Sequence, residues 1–274
     1  MYKKVLTIQD ISCVGQCSLT VALPILSACR METIILPSAI LSTHTAGFKG
    51  FTCRDLTDDM DAIAAHWAKE GISFDCIYTG YLASKEQIDK VIKISESRLN
   101  KGGLFIVDPA MADNGSLYGA FDGAFVEEMK KLISKADIIL PNITEACFLT
   151  GTQYTETYDE KYILSLIRKL VELGPKEVIL TGVGYRTGST GVVVWENDEY
   201  HYYEHEKITR CCHGTGDVYA SSFVGALLND NSSFASAKIA ADFTLSCIKN
   251  TVDDPGHWYG VKFEPKLAEL INRL

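Results

Sequence analysis

The sequence of 274 residues has no long hydrophobic run and no excess of basic charge. A helix that crosses a membrane needs about 20 consecutive apolar residues, so the first absence argues against a membrane protein. The formal net charge of −9 argues against a nucleic-acid-binding groove, because such a groove needs a basic surface to displace counterions. An anionic substrate would therefore have to be held by local donors rather than by a globally positive field.

Two nucleotide-binding motifs are missing as well. The sequence has no G-x-x-x-x-G-K-[ST] pattern, which weighs against a P-loop phosphotransferase. It also has no G-x-G-x-x-G after the first predicted strand, which weighs against a dinucleotide-binding Rossmann enzyme. A phosphate-binding site would therefore have to be built from other residues.

A zinc cluster built on Cys211, Cys212 and His213 would have to add His201 and His205. Adjacent cysteines do not easily face one tetrahedral ion, and this segment lacks the paired spacing of zinc ligands, so the pattern disfavours such a cluster. A nucleophile pair of Cys212 and His213 is disfavoured too, because neighbours in an extended segment point apart.

The nine cysteines are scattered, and most of them lie in apolar runs such as DCIYTGYL. This distribution is typical of reduced, buried cysteines in a cytosolic protein. The first ten residues, MYKKVLTIQD, hold only a short apolar run and so predict no signal peptide. We therefore expect a cytoplasmic protein.

Short apolar runs alternate with helical patterns along most of the chain. The predicted strands are 4–8, 33–37, 75–80, 104–109, 137–141 and 177–182. The predicted helices are 17–30, 55–70, 84–99, 122–134, 143–150, 158–173, 215–228, 232–250 and 265–273. This alternation predicts an α/β fold over a single domain, 1–274, with a mostly parallel central sheet and helices on both faces. The segment 190–205 breaks the pattern and predicts a small β-hairpin that turns at Asn197-Asp198.

Ligands of such sheets bind beyond the carboxyl ends of the strands. Polar residues and glycines follow the predicted strands in this sequence, and the candidates among them are Ser12, His44, Thr45, Tyr81, Asp108, Asn142, Glu145, Thr181 and Gly182. We expect them to lie along one edge of the sheet.

The string Gly214-Thr215-Gly216-Asp217 opens a predicted helix. Glycines let backbone N–H groups converge, and a helix N-terminus adds partial positive charge, so this turn predicts an anion site. A carboxylate in the first turn could accept a proton from a substrate hydroxyl while the amides hold a phosphate. The alternative is that Asp217 only stabilises the helix terminus.

Asn142-x-x-Glu145 also follows a strand and opens a helix, so one interpretation is a capping box. The other gives Glu145 a contact with Mg²⁺ through water, with Asp108 as the second carboxylate, because Mg²⁺ on phosphates needs only one or two carboxylates. The alternative for Asp108 is a turn residue before Pro109.

Seven segments together resemble the pyridoxal (vitamin B6) kinases of the ribokinase-like superfamily. In chain order they are TIQDISCVGQCS (7–18), LSTHTAGFKGF (41–51), TGYLAS (79–84), VDPAMADNG (107–115), LPNITEACFLTG (140–151), ILTGVG (179–184) and HGTGDVYAS (213–221). Ordered matches over this length are far more specific than any single one of them.

The resemblance implies ATP-dependent phosphorylation of the 5′-hydroxymethyl group of pyridoxal, pyridoxine or pyridoxamine. It implies that Asp217 is the general base and that Gly214, Thr215 and Gly216 form the anion hole for the γ-phosphoryl group. The implied ring pocket consists of Ser12, His44, Thr45 and Tyr81. The implied ATP-binding residues are Asp108, Asn142, Glu145, Thr181 and Gly182, with Asp108 and Glu145 at Mg²⁺.

The resemblance also implies a flexible flap over ATP at 109–121, an adenine contact at 253–260, a homodimer and, in many members, a need for K⁺. Related kinases of thiamin synthesis phosphorylate hydroxymethylpyrimidine and share the fold and the Gly-Thr-Gly motif. Some of them have Cys where this chain has Asp217. A hydroxymethylpyrimidine kinase and a non-catalytic protein that binds pyridoxal phosphate or another ligand remain alternatives.

Overall fold

The computed structural model describes residues 2–209 and 212–274. Its strands are β1 (Lys4–Ser12), β2 (Glu32–Leu41), β3 (Cys53–Asp55), β4 (Phe74–Thr79), β5 (Leu99–Val107), β6 (Ala112–Asp113), β7 (Ser116–Leu117), β8 (Ile138–Ile139), β9 (Glu177–Thr181), β10 (Ser189–Glu196) and β11 (Glu199–Glu206). Its helices are α1 (Leu19–Ala28), α2 (Thr57–Lys69), α3 (Lys85–Arg98), α4 (Gly123–Ile133), α5 (Ile143–Thr150), α6 (Glu160–Glu172), α7 (Thr215–Leu227), α8 (Ser233–Lys249) and α9 (Leu267–Ile271).

A nine-stranded sheet has the order β11-β10-β9-β8-β5-β4-β1-β2-β3. The strands from β9 through β2 pair in parallel, whereas β10, β11 and β3 add antiparallel strands at the two edges. The carboxyl ends of the parallel strands therefore meet at one edge of the sheet, which confirms the predicted α/β fold.

Alternate residues of β1 enter different apolar clusters on the two faces of the sheet. Leu6 and Ile8 pack in the cluster that α2 to α6 supply, while Val5 packs in the cluster that α1, α7 and α8 supply. A parallel sheet covered on both faces needs strands that are buried on both faces, which is why Val5, Leu6 and Ile8 are all apolar in this strand.

Three differences between the structure and the predicted elements bear on the site and its surroundings. Strand β3 has no apolar pattern because its three residues are exposed, and it forms only by pairing with β2. The predicted loop 109–121 contains the small hairpin of β6 and β7, which turns where Asn114 and Gly115 have positive φ. The predicted strand 137–141 shortens to β8, whose two residues pair with β5 and β9.

The predicted hairpin at 190–205 is confirmed as β10 and β11, which turn at Asn197 and Asp198. Both turn residues have positive φ, as a two-residue turn that matches the strand twist requires. Within residues 2–209 and 212–274, no helix has the length and apolarity to cross a membrane.

Candidate active site

The loop before α7 approaches the first loop of the chain very closely. Gly214 has φ +77°, and a Cβ at this position would overlap the carbonyl oxygen of Gln16. Only glycine combines this left-handed conformation with such a close approach. The sequence therefore places the N-terminus of α7 directly against the loop that follows β1.

Asp217 lies in the first turn of α7, as the sequence predicts. The residue is partly exposed, but its carboxyl group is surrounded by protein atoms. Burial raises the pKa of Asp217 to about 7; a hydrogen bond from the Ser18 backbone N–H lowers it, and the charge of Asp10 raises it further. A carboxyl with a pKa near 7 is suited to accept and release a proton at neutral pH.

Asn142 and Glu145 form a complete capping box at the start of α5. The Asn142 side chain accepts from the Glu145 N–H at 2.9 Å, and the Glu145 carboxylate accepts from the Asn142 N–H at 2.8 Å. The other carboxylate oxygen of Glu145 accepts from the Met111 N–H at 3.1 Å. The capping interpretation is therefore confirmed, and Glu145 also holds the beginning of the predicted flap.

Two further bonds join the N-terminus of α5 to this flap. The Asn142 amide donates to the carbonyl oxygen of Ala112 at 2.8 Å, and Thr144 Oγ1 accepts from the Gly115 N–H at 3.1 Å. No local pattern in the sequence points to these contacts, since they join residues about 30 positions apart.

Asp108 follows β5 and lies near Glu145 and Asp217. Burial raises its pKa well above the usual range, and the charges of Glu145 and Asp217 raise it further. Burial likewise raises the pKa of Glu145 to about 8. The structure thus brings together the two carboxylates that were predicted to hold Mg²⁺.

The donor set at this point fits Mg²⁺ only together with nucleotide phosphates. In the described part of the chain, no three His, Cys, Asp or Glu side chains are arranged to hold an ion by themselves. Mg²⁺ on phosphates needs one or two carboxylates and keeps several waters, and the carboxyl groups of Asp108 and Glu145, the first of them disfavoured by the charge of the second, meet that need. Asp108 and Glu145 are therefore suited to this role.

Thr181 and Gly182 stand where β9 ends. Thr181 forms a single parallel β-bridge with Asn142, and its N–H donates to the Pro141 carbonyl oxygen at 2.9 Å. Gly182 has φ +78° and lies in a turn whose backbone is held by Tyr158. The predicted nucleotide residues thus lie next to the N-terminus of α5.

His44 is buried, and both of its ring nitrogens already have partners. Its Nδ1 accepts from the Ala46 N–H at 3.2 Å, which places the ring proton on Nε2. Nε2 therefore donates to the Tyr259 carbonyl oxygen at 2.7 Å. Both nitrogens are therefore engaged by backbone atoms, and the imidazole ring lies 5.2 Å from the ring of His213. Thr45, the next predicted pocket residue, is exposed.

Ser12 and Tyr81, the other predicted pocket residues, both face Asp10. Ser12 Oγ donates to Asp10 at 3.0 Å. Burial raises the pKa of Tyr81 to about 12, and the nearby charge of Asp10 raises it further. The Tyr81 ring also lies 5.4 Å from that of Phe121, so the pocket adjoins the end of the flap.

The segment 253–260 packs against the loop that carries His44. Trp258 lies 4.7 Å from the Phe48 ring, and a Cβ at Gly47 would touch the indole of Trp258. His257 Nε2 lies 2.8 Å from the Gln16 amide oxygen. The segment therefore borders the predicted ring pocket, and its contact with adenine stays a prediction.

The residues of the disfavoured zinc cluster lie in different surroundings. Cys211 lies outside the described residues, and Cys212 is buried. His201 stacks on Phe234 at 5.0 Å in the edge strand β11, where His205 contacts the Glu206 carbonyl oxygen.

Comparisons with known proteins point to kinases of small ring compounds. Residues 26–261 match a family described as phosphomethylpyrimidine kinase. A Bacteroides thetaiotaomicron structure, described as a candidate phosphomethylpyrimidine kinase, is 35% identical with a TM-score of 0.95, covering 98% of this chain and 94% of that one. The pyridoxal kinase structure of Lactobacillus plantarum is 29% identical with a TM-score of 0.91, covering 98% and 97%.

Among curated relatives, the hydroxymethylpyrimidine/phosphomethylpyrimidine kinase of Bacillus subtilis is 27% identical over 222 residues, 78% of each chain. The resemblance to vitamin B6 kinases of the ribokinase-like superfamily is confirmed by the solved structures. Since the family match covers most of the chain, the protein belongs to the phosphomethylpyrimidine kinase family, with pyridoxal kinases among its relatives.

Proposed function

We propose that the protein transfers the γ-phosphoryl group of ATP to the 5′-hydroxymethyl group of a vitamin B6 compound, within a single domain spanning 1–274. The observation that carries this proposal is Asp217, a carboxyl with a pKa near 7 held at the N-terminus of α7 beside a glycine turn. A Bacteroides thetaiotaomicron relative, 34% identical, was crystallised with pyridoxal, which supports a B6 substrate.

Each part of this site has a separate task. Asp217 would remove the proton of the substrate hydroxyl as that oxygen attacks phosphorus. The backbone N–H groups of residues 214–216, at the positive end of α7, would hold the charge of the transferring group. Phosphoryl transfer depends mainly on such positioning and electrostatics, so no covalent enzyme intermediate is needed.

Asp108 and Glu145 would hold Mg²⁺ on the ATP phosphates. When bound, Mg²⁺ supplies positive charge that offsets the phosphates and the two carboxylates. The flap, fastened to the N-terminus of α5 by the capping-box residues, would cover ATP and exclude water, the competing acceptor.

The second candidate is a hydroxymethylpyrimidine kinase, which the matched family and the Bacillus subtilis relative favour. Both substrates carry a hydroxymethyl group on an aromatic ring, and the same base and anion hole would serve either. A direct assay separates them: kcat/KM is measured for pyridoxal, pyridoxine, pyridoxamine and hydroxymethylpyrimidine with MgATP. We expect a B6 compound to give the highest value. A higher value for the pyrimidine would overturn the B6 assignment, and no turnover with any of them would favour a binding protein.

The turn that contains Gly182 offers a test of the predicted nucleotide site. The Tyr158 hydroxyl donates to the Gly182 carbonyl oxygen at 3.3 Å and accepts from the Gly184 N–H at 3.1 Å. Tyr158→Phe removes both bonds and should raise the KM for ATP about 3- to 10-fold, which is the effect expected when about 1 kcal/mol of the hydrogen-bond energy that orders the turn is lost to ATP binding. The KM for the vitamer should stay unchanged.

Tyr162→Phe is the matched control for this substitution. The Tyr162 hydroxyl donates to the Gln153 carbonyl oxygen at 2.7 Å and contacts Cys147, away from the turn. Steady-state kinetics of both variants show whether the KM for ATP rises because the Gly182 turn is displaced or because any lost tyrosine hydroxyl loosens the fold. Equal KM values for ATP in the two variants would refute a role for Tyr158 at the nucleotide.

A further inference from the structure

Asp10 is a buried carboxylate beside the catalytic centre that the reaction described above does not use. It lies near the carboxyl end of β1 and is 5% exposed. Its two carboxylate oxygens accept hydrogen bonds from Ser12 Oγ at 3.0 Å and from Ser18 Oγ at 2.6 Å. The side chain is therefore fixed in one orientation before any ligand binds.

Ser18 connects this carboxylate to the proposed base. Its hydroxyl donates to Asp10, while its backbone N–H donates to Asp217. One residue with positive φ thus sets the spacing of the two carboxylates. Both carboxyl groups are therefore tied to the same loop, close enough that the charge of Asp10 raises the pKa of Asp217.

No Lys or Arg side chain pairs with Asp10 within the described residues. The groups that face it are the hydroxyls of Ser12 and Ser18, the thiols of Cys17 and Cys53, the phenol of Tyr81, the His44 ring and the Asp217 carboxyl. Among them the His44 ring lowers the pKa of Asp10, but both of its nitrogens already contact backbone atoms, so it forms no hydrogen bond with this carboxyl. Across residues 2–209 and 212–274, Asp10 forms no ion pair with Lys or Arg.

A buried carboxylate without a counter-ion is unfavourable, and natural proteins pair such groups. ATP would bring more negative charge to a site that already holds Asp108, Glu145 and Asp217. Burial raises the pKa of Asp10, so the carboxyl is held ionised only when a cation pairs with it, and the acceptor substrate can bring that cation into the site.

We infer that Asp10 determines substrate specificity by pairing with a protonated amine on the substituent next to the reacting hydroxymethyl group. This inference rests on the proposed function. Pyridoxamine carries an aminomethyl cation at that ring position, whereas pyridoxal carries an aldehyde and pyridoxine an alcohol. Hydroxymethylpyrimidine has an aromatic amine there that is uncharged at neutral pH. A carboxylate beside this substituent favours pyridoxamine over the other three compounds.

Asp10→Asn tests the inference because it keeps the shape and removes the charge. We expect wild-type kcat/KM to be about 10-fold higher or more for pyridoxamine than for pyridoxine. The substitution should lower the value for pyridoxamine about 100-fold and that for pyridoxine less than about 3-fold. Asp230→Asn, which removes a surface charge 90% exposed, is the control for net charge and should leave both values unchanged.

A binding experiment without ATP supplies a second measurement. Pyridoxamine should raise the melting temperature of the wild-type protein more than pyridoxine does, and Asp10→Asn should abolish this difference. If Asp10→Asn lowered kcat/KM equally for all vitamers, the role of Asp10 in specificity would be overturned. The same holds if the substitution altered the dependence on Mg²⁺ or K⁺ but left the preference among the vitamers unchanged. Absence of ATP-dependent turnover in the wild type would instead overturn the proposed function, so the two failures are distinguishable.

Discussion

Asp217→Asn is expected to lower kcat by about 10³-fold while leaving ATP binding intact, because asparagine cannot accept the hydroxyl proton. In the wild-type protein, kcat/KM for the vitamer should rise with pH through about 7, where burial places the pKa of Asp217. The variant should lose this dependence. Steady-state kinetics between pH 5.5 and 8.5, with ATP binding followed by calorimetry, measure both effects.

The same substitution should stabilise the protein at alkaline pH. Folding raises the pKa of Asp217 from 3.8 to about 7, so its contribution to stability is fully present below the unfolded value and is lost as the pH rises through 7. Asparagine carries no charge to desolvate. The variant should therefore melt at a higher temperature than the wild type at pH 8, and the difference should close near pH 4.

Asp59→Asn is the matched control, because Asp59 also lies in the first turn of a helix, α2, but is exposed. It should change neither kcat nor the pH dependence of stability. If Asp217 only stabilised its helix terminus, its substitution would lower the melting temperature and leave kcat near the wild-type value.

The sequence predicted the glycine turn and the helix start at 214–217 because the signals for both are local. Gly214, Gly216 and Asp217 stand within four positions, and the apolar pattern after them marks a helix start. The capping box of Asn142 and Glu145 is local in the same way. The sheet followed from the alternation of apolar runs and helical patterns, which depends only on periodicity.

Contacts between distant segments could not be predicted. The bond between His44 and the Tyr259 carbonyl oxygen joins residues 215 positions apart, and no periodic signal marks either of them. Asp10 follows the predicted strand 4–8 closely in the sequence, but its bond to Ser18 depends on how the first loop folds back. Strand β3 and the flap hairpin are too short to show a pattern, so only pairing with their neighbours reveals them.

Alanine substitutions at the two glycines of the turn should separate folding from phosphate binding. In Gly214→Ala the new Cβ would overlap the Gln16 carbonyl oxygen, and φ +77° is strained for alanine. We expect a loss of about 1–3 kcal/mol in the free energy of unfolding and a loss of activity, since the loop must move.

Gly216→Ala, in contrast, should lower the activity and leave the free energy of unfolding nearly unchanged. No atom lies within 4 Å of the position its Cβ would take, so the free energy of unfolding should stay within about 0.5 kcal/mol of the wild-type value. The methyl group would instead enter the open space where the γ-phosphoryl group is proposed to bind, and kcat/KM should fall about 10-fold or more. Denaturant unfolding and steady-state kinetics of the two variants measure this contrast. Wild-type kinetics in Gly216→Ala would mean that the phosphoryl group is held elsewhere, because a group bound to the amides of this turn could not tolerate the added methyl.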